Sequence, residues 1–385
     1  MESSLENFSD QILIDKAYKR TGLSDFGDQS FRESLKMLLA SYNNSMLNRL
    51  GRQSIEMNLI NFLCNRLLIQ EELKKYPEIK MENIERPLFI VSMARTGTTF
   101  LQRLLASDPE NRSPLLWELI MPAPAPDFKT YQTDSRIAIV TKRYDEFNKS
   151  SPGFKSIHKI NALLPDECLW FQKNDFKSIA FSTRAYIPGY LKWLDQQDMI
   201  PTYQYQRLQL QLLQFRYPTN RWVLKCSYHM YAVDALLSVF PDACIVQLLR
   251  DPFKTIPSFL SLKDAMYSPL NDDLDPKIFR NEFLESQKSM LDRYLTARSA
   301  SNPSQFYDMQ YNSFVKNPVD EVCKLYQYFG YAFTETFEKQ MLQYLAQNPK
   351  NKYGKHIYSI EQFGLTKKMI YDIMGDYGRL FELVE

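Results

Sequence analysis

The sequence predicts an α/β protein in which a parallel β-sheet is flanked by helices and preceded by an N-terminal helical extension. Three observations support this class. Short, fully apolar segments recur along the chain, helical segments separate them, and several of the apolar segments end in charged residues. Continuous apolar runs are typical of strands that are buried on both faces of a parallel sheet. Short strand–helix–strand connections favour right-handed parallel crossovers.

The sequence pattern of residues 1–85 predicts a helical cap. The segments LKMLLASYNNSMLNRLG and INFLCNRLLIQEELKKY carry apolar residues three and four positions apart, which is the spacing of an amphipathic helix. A turn is expected at 25–28, before a helix that begins near Phe31. The sequence pattern changes at Arg86, and we therefore divide the chain into a cap at 1–85 and an α/β domain at 86–385.

Four strands are predicted in the α/β domain. They lie at 87–91, 222–225, 244–249 and 306–310, and the helix YAVDALLSVF separates the second from the third. The helix VDEVCKLYQYFG follows the fourth. The proline-rich stretch 122–165 is expected to cross the edge of the sheet. This alternation of strands and helices makes the core α/β.

Charge and composition exclude several classes of protein. Lys and Arg number 47 against 45 Asp and Glu, which leaves a net charge of +2 and no global basic field for nucleic acid. The five cysteines are scattered without a CxxC pair, which indicates free thiols in a reducing compartment and argues against structural zinc. No apolar leader or membrane-length segment is visible, so a cytoplasmic protein is expected.

The loop after the first predicted strand has the composition of an anion cradle. Arg95 and the hydroxyls of Thr96, Thr98 and Thr99 surround Gly97, and a helical pattern follows at once. Backbone N–H groups at the start of such a helix face a bound anion. The P-loop of nucleotide kinases reads GxxxxGK[ST], and here threonine stands in the place of its lysine. The loop therefore suits one phosphate or sulfate group, and helix capping alone is the alternative.

Two cations and a hydroxyl follow the next predicted strands. Arg250 comes after the third strand, and Ser258 lies eight residues further on, near enough for one turn to bring them together. A guanidinium and a hydroxyl suit a terminal phosphate, whereas the alternative is a surface ion pair with Asp251. Lys225 ends the second strand, and a bound anion is a natural partner for an ammonium group in an apolar setting.

Three elements in chain order, the 95–99 loop, Lys225 and the segment from Arg250 to Ser258, resemble the sulfotransferases that use 3′-phosphoadenosine-5′-phosphosulfate (PAPS). Further motifs resemble the bacterial-type family that includes the tyrosylprotein sulfotransferases, and they span nearly the whole chain. They read TGLSDFG (21–27), RTGTT (95–99), LLASDP (104–109), LWE (116–118), LPDEC (164–168), WVLKCSYH (222–229), FPDACIVQLLRDP (240–252) and HIYSIEQFGL (356–365). The resemblance implies a P-loop-like fold, PAPS as co-substrate, no metal, and in-line transfer of a sulfuryl group to a hydroxyl.

The resemblance also implies roles for the site residues. The 95–99 loop would hold the 5′-phosphate, and Arg250 and Ser258 would hold the 3′-phosphate. Lys225 would offset the charge that develops on the leaving group. Arg95 stands where cytosolic members carry a lysine, and a guanidinium does not serve as a general acid. A late basic segment, at 352–356, resembles the part of cytosolic members that closes over the 3′-phosphate.

The base that takes the proton of the acceptor hydroxyl is left open between two residues. His229 lies near the position of the histidine of cytosolic members, and its ordinary pKa is near neutrality. Glu118 resembles the glutamate base of the tyrosylprotein sulfotransferases. His158 and Glu167 are the next candidates.

The acceptor is predicted only by class. Aromatic residues are dense between 120 and 215, and most of them are expected to be ordinary core. The remainder fit an apolar acceptor pocket, and the acceptor is left open between a small-molecule hydroxyl, a lipid or glycan hydroxyl, and peptidyl tyrosine. A homodimer is left open. The other functions considered are a P-loop nucleotide kinase, which would need the missing lysine and a magnesium site, and a non-catalytic nucleotide-binding protein of the same fold.

Overall fold

A computed structural model describes residues 7–150, 160–272, 275–349 and 360–384. At its centre is a parallel sheet of five strands in the order β2-β3-β1-β4-β5. The strands are β1 (Leu88–Ile90), β2 (Asn111–Arg112), β3 (Arg221–Lys225), β4 (Cys244–Leu249) and β5 (Phe306–Gln310). This arrangement confirms the predicted fold class, and β4 and β5 have the predicted bounds. The edge strand β2 has two residues, which is too short for its pattern to be read from sequence.

Sixteen α-helices surround the sheet in the part of the chain that the structure describes. Three of them precede it: α1 (Asp10–Thr21), α2 (Phe31–Asn43) and α3 (Arg49–Lys75). The others are α4 (Thr98–Leu105), α5 (Leu116–Ile120), α6 (Ser135–Ser150), α7 (Leu169–Lys173), α8 (Pro188–Leu194), α9 (Ile200–Gln214), α10 (Val233–Val239), α11 (Pro252–Tyr267), α12 (Pro276–Ser299), α13 (Tyr311–Lys316), α14 (Pro318–Phe329), α15 (Glu335–Gln347) and α16 (Lys367–Leu380).

The N-terminal helices and the sheet share one hydrophobic core. Leu35 and Leu63 belong to the same buried cluster as Phe89 and Ile245 of the central strands. Strand residues alternate between the two faces of a sheet, so Leu88 and Ile90 of β1 and Val246 of β4 belong to a second cluster on the opposite face. Helices α4 and α14 cover that face. Helices therefore cover both faces. The division of the chain at residues 85 and 86 stays a prediction.

The stretch 122–165 contains more regular structure than its prolines indicate. Its prolines lie outside the segment that forms α6, and this proline-free segment is helical. The five cysteines are free thiols. No helix among the described residues is long and apolar enough to cross a membrane. His158 and the 352–356 segment lie outside the described residues.

Candidate active site

A cleft of about 600 Å³ opens at the carboxyl ends of β1, β3 and β4. Ligands bind at this edge of open α/β sheets. One end of the cleft, called here the polar end, is lined by Arg95, Gly97, Thr98, Thr99 and Arg250. Another part of the lining, called here the far end, consists of apolar side chains, among them Met266, Pro269 and Leu270, together with Ser54, Lys173 and Arg184.

The loop at the polar end has a backbone that few residue types adopt. Arg95 has a φ of 68° and Gly97 a φ of 95°, and α4 begins at the next residue. A Cβ atom on Gly97 would lie 2.9 Å from the Tyr311 ring, so only glycine fits there without a shift. The loop therefore leads directly into the N-terminus of α4. The free N–H groups and the dipole of a helix favour an anion at its N-terminus.

The side chain of Thr96 fastens this loop to the sheet. Its hydroxyl is buried, donates to the Met93 carbonyl at 2.8 Å, and lies 2.9 Å from Ser92 Oγ. The Ser92 hydroxyl donates in turn to the Leu248 carbonyl of β4 at 2.6 Å. The Thr96 hydroxyl is therefore already hydrogen-bonded within the protein, so Thr96 can contribute only its backbone N–H to anion binding.

The structure brings both arginines and Ser258 together at the polar end. Arg250 Nη1 donates to the Arg95 carbonyl at 2.6 Å, and Arg95 Nε donates to Ser258 Oγ at 3.1 Å. The Arg250 guanidinium lies over the Tyr311 ring, 4.1 Å from its centroid. The Nε atom of Arg250 is buried without a hydrogen-bond partner. A buried, unpartnered donor beside a second guanidinium fits a site for an anion.

Lys225 lies buried behind the cleft wall, between the anion loop and Glu167, and does not itself line the cleft. Its Nζ atom donates to Glu167 Oε1 at 2.6 Å and to Thr99 Oγ1 at 3.4 Å, and its side chain is 2% exposed. Glu167 lines the cleft and its side chain is 22% exposed. The structure therefore places an ammonium group and a more accessible carboxylate side by side, next to the anion loop.

Glu118 lies outside the cleft lining. Its side chain is fully buried, forms an ion pair with Arg112, and accepts a hydrogen bond from the Leu115 N–H at 2.8 Å. The Arg112 guanidinium also stacks on the Tyr217 ring at 4.3 Å. Removing one partner of such a pair leaves a buried charge, so the arrangement gives Glu118 a structural role.

His229 is also absent from the cleft lining. It is fully buried, its Nδ1 atom is hydrogen-bonded to the Tyr203 hydroxyl at 2.8 Å, and its ring meets the Phe89 ring edge-on. Burial lowers the pKa of His229 to about 3, so the imidazole is neutral across the physiological range. The Nε2 atom is buried without a hydrogen-bond partner.

Sequence reasoning gave little weight to three residues that the structure brings to the cleft. Glu167 was a reserve candidate within LPDEC, and Lys173 and Arg184 had no motif to mark them. Of the aromatic residues between 120 and 215 that the structure describes, Tyr144 and Trp170 line the cleft and most of the others are core. Among the described residues, no group of three or more His, Cys, Asp or Glu side chains could hold a metal ion.

A parallel sheet with a glycine-containing loop after β1 and cations after β3 and β4 is an arrangement that suits the binding of an anion. A model of the sulfotransferase family matches residues 87–335, and the chain belongs to that family. The P-loop-like fold and the sulfuryl-transfer activity inferred from the motifs are thereby confirmed.

Two solved structures and one curated relative place the chain more closely. Sulfotransferase STF9 from Mycobacterium avium has a TM-score of 0.90 and 29% identity, over 99% of this chain and 98% of its own. STF1 from Mycobacterium tuberculosis has a TM-score of 0.87 and 29% identity, over 96% and 99%. Omega-hydroxy-beta-dihydromenaquinone-9 sulfotransferase Stf3 from Mycobacterium tuberculosis is 26% identical over 305 residues, 76% of this chain and 75% of its own.

Proposed function

We propose that this sulfotransferase takes its sulfuryl group from PAPS and delivers it to the hydroxyl of a small or lipid-like apolar acceptor. The observation that carries the proposal is the convergence of Arg95, Arg250 and Lys225 around one loop at the start of α4. Two cations that line the polar end and a third buried against its loop suit a donor with two separate phosphate groups. An apolar remainder suits an uncharged acceptor body.

We assign the 5′-phosphate to the loop and the 3′-phosphate to Arg250 and Ser258. Backbone N–H groups at the start of α4 and the Thr99 hydroxyl face the 5′ side. The unpartnered Nε atom of Arg250 supports the 3′ assignment, because it is a buried donor without an acceptor. The Arg95 side chain links the two positions through its hydrogen bond to Ser258.

We assign the base to Glu167 in preference to His229 and Glu118. Glu167 lines the cleft beside Lys225, whereas the other two are fully buried outside its lining. In the proposed step, the acceptor oxygen bonds to sulfur while the bond from sulfur to the bridging phosphate oxygen breaks. The acceptor proton passes to the Glu167 carboxylate, and the electron pair of the broken bond stays on the released 3′,5′-diphosphate. Lys225 stabilises that charge.

The acceptor class rests on the far end of the cleft and on the family. Stf3 is named for an omega-hydroxylated dihydromenaquinone. The apolar side chains at Phe259, Leu262 and Met266 fit an acceptor with a hydrophobic body. The buried free thiols fit a reducing, cytoplasmic location, which we retain as a proposal.

The direct test is transfer of labelled sulfuryl from PAPS to a panel of phenols, alkanols and ω-hydroxy acids without magnesium. We expect sulfuryl transfer from PAPS to at least one member of the panel. We expect no phosphoryl transfer from labelled ATP in the presence of magnesium. Binding of the diphosphate product, PAP, without any transfer would favour a non-catalytic nucleotide-binding protein. Failure to bind PAP at all would contradict the proposed donor.

The base assignment predicts that Glu167→Gln loses about 10²–10⁴ in kcat while it still binds PAP. His229→Gln and Glu118→Gln should keep most of the wild-type kcat, provided that they fold. The matched control is Glu282→Gln, because Glu282 forms a similar buried pair with Lys263, at 2.9 Å, away from the cleft lining. Unchanged kcat in Glu167→Gln, with a large loss in one of the other two, would reject the assignment.

A further inference from the structure

The far end of the cleft holds two cations without a carboxylate partner. Lys173 is 8% exposed and ends the short helix α7, and Arg184 lies in the segment after it. Both line the cleft. Among the described residues, no carboxylate lies within ion-pair distance of either side chain, although fourteen other ion pairs are formed. An unpaired charge in an apolar setting is unfavourable unless a ligand compensates for it.

The contacts that these two cations do make leave them able to bind an anion. Lys173 Nζ lies over the Trp170 ring at 4.6 Å and donates no hydrogen bond among the described residues. Arg184 Nη1 donates only to Ser54 Oγ, at 3.2 Å. An ammonium group has three donors and a guanidinium five, so most of their hydrogen-bonding capacity is unused.

Two acidic residues whose charges act on Lys173 make their hydrogen bonds with other groups. Asp166 Oδ1 accepts hydrogen bonds from the Glu167 N–H at 2.7 Å and from Trp170 Nε1 at 3.3 Å. Glu167 is paired with Lys225. Burial and then the positive charge of Arg184 lower the pKa of Lys173 to about 7, and the charges of Cys226, Asp166 and Glu167 oppose this only in part. Within the described part of the chain, neither cation is therefore paired with a carboxylate.

We propose that Lys173 and Arg184 bind an anionic group, a carboxylate, sulfonate or phosphate, carried by the acceptor in addition to its hydroxyl. This rests on the proposed function, since it takes the transfer point to be at Glu167 and Lys225. The substrate class is then an amphipathic hydroxy acid. Its apolar body lies along the cleft, its hydroxyl faces Glu167, and its anionic group faces Lys173 and Arg184.

The test uses two fluorescent probes of nearly the same shape. The first is 1-anilinonaphthalene-8-sulfonate, and the second is N-phenyl-1-naphthylamine, which lacks the sulfonate. We expect the wild-type protein to bind the sulfonate at least tenfold more tightly than the neutral probe. Lys173→Met and Arg184→Met should each reduce sulfonate affinity about tenfold and change neutral-probe affinity less than twofold. Lys173→Arg, which keeps the charge, should retain sulfonate binding.

Two further variants separate this proposal from its alternatives. Lys192→Met is the matched control, because Lys192 is an exposed helical lysine, and it should leave both affinities unchanged. Equal binding of the two probes, or a sulfonate affinity that falls in Lys225→Met and not in Lys173→Met, would overturn the proposal. None of these readouts needs PAPS or turnover, so a failed transfer assay and a failed probe assay are distinct results.

If Lys173 served only to stabilise the fold through Trp170, its replacement would lower the melting temperature. We expect the opposite at pH 6, below the pKa of Lys173 of about 7, because methionine then removes a buried ammonium without a carboxylate partner and keeps most of the side-chain volume. A higher melting temperature together with weaker sulfonate binding supports a ligand site. A lower melting temperature with unchanged sulfonate binding contradicts it.

Discussion

At the polar end of the cleft the cations donate to a backbone carbonyl or a carboxylate, whereas at the far end neither cation has a carboxylate partner among the described residues. Arg250 donates to the Arg95 carbonyl and Lys225 donates to Glu167, at 2.6 Å in each case. Lys173 lies over the Trp170 and Phe181 rings, and Arg184 donates to Ser54 Oγ. Groups that are fixed before binding lose little entropy when a ligand arrives, which suits the constant donor of a transferase. The far end is less constrained, and it is where acceptor selectivity is expected to arise.

The largest effect is expected from Lys225→Met, which removes the cation at the proposed transfer point. We expect kcat to fall about 10²-fold or more while PAP affinity changes much less, because the charge on the leaving group is greatest in the transition state. Steady-state kinetics with PAPS and an active acceptor measure both. Lys263→Met is the control, since it breaks a similarly buried pair with Glu282 and should retain kcat. Equal losses in the two variants would place Lys225 in a structural pair.

A smaller effect is expected from Gly97→Ala, which alters the loop and leaves every cation in place. The positive φ of 95° and a Cβ atom 2.9 Å from Tyr311 both oppose alanine, and the strain alone costs roughly 1–2 kcal/mol. PAP affinity should fall at least tenfold by calorimetry.

Gly330→Ala is the control for this loop variant, because Gly330 has a φ of 69° and open space around its Cβ position. It should lower stability and leave PAP affinity intact. If both variants bind PAP as wild type does, the loop geometry does not determine anion binding.

The smallest effect concerns His229, which belongs to neither end of the cleft. Its folded pKa of about 3 lies below its unfolded value near 6.5, so the unfolded chain takes up a proton as the pH falls through this window. Its contribution to stability is therefore complete above pH 6.5 and decreases by roughly 1 kcal/mol between pH 6.5 and 5.5. Urea unfolding of wild type and His229→Gln should differ by this slope. Parallel curves would show that His229 is not held neutral.

The polar end could be predicted from sequence because its parts are short and local. The 95–99 loop follows a strand that the apolar run predicts, and Ser258 follows Arg250 by eight residues, within the first two turns of the next helix. Far-end residues come from segments more than two hundred positions apart, such as Ser54 and Leu270, and only the fold brings them together.

The direction of side chains could not be predicted either. Glu118 has the residue type of a base, but its carboxylate turns inward because Arg112 and the Leu115 N–H are there to bind it. His229 follows Lys225 closely in the chain, yet a short 3₁₀ turn after β3 carries it into the core against Phe89. The residue type indicated the chemistry, and packing decided which group reaches the cleft.

The measurement that tests the account most directly is calorimetric titration of the magnesium-free protein with PAP and with adenosine 5′-phosphate, which lacks the 3′-phosphate. We expect wild type to bind PAP at least tenfold more tightly. Arg250→Ala should weaken PAP binding by about 1.5–3 kcal/mol, the loss of a charged hydrogen-bond partner, and should leave adenosine 5′-phosphate binding nearly unchanged. No preference for PAP in wild type, or equal losses for the two ligands in the variant, would contradict the assignment of the polar end to the donor.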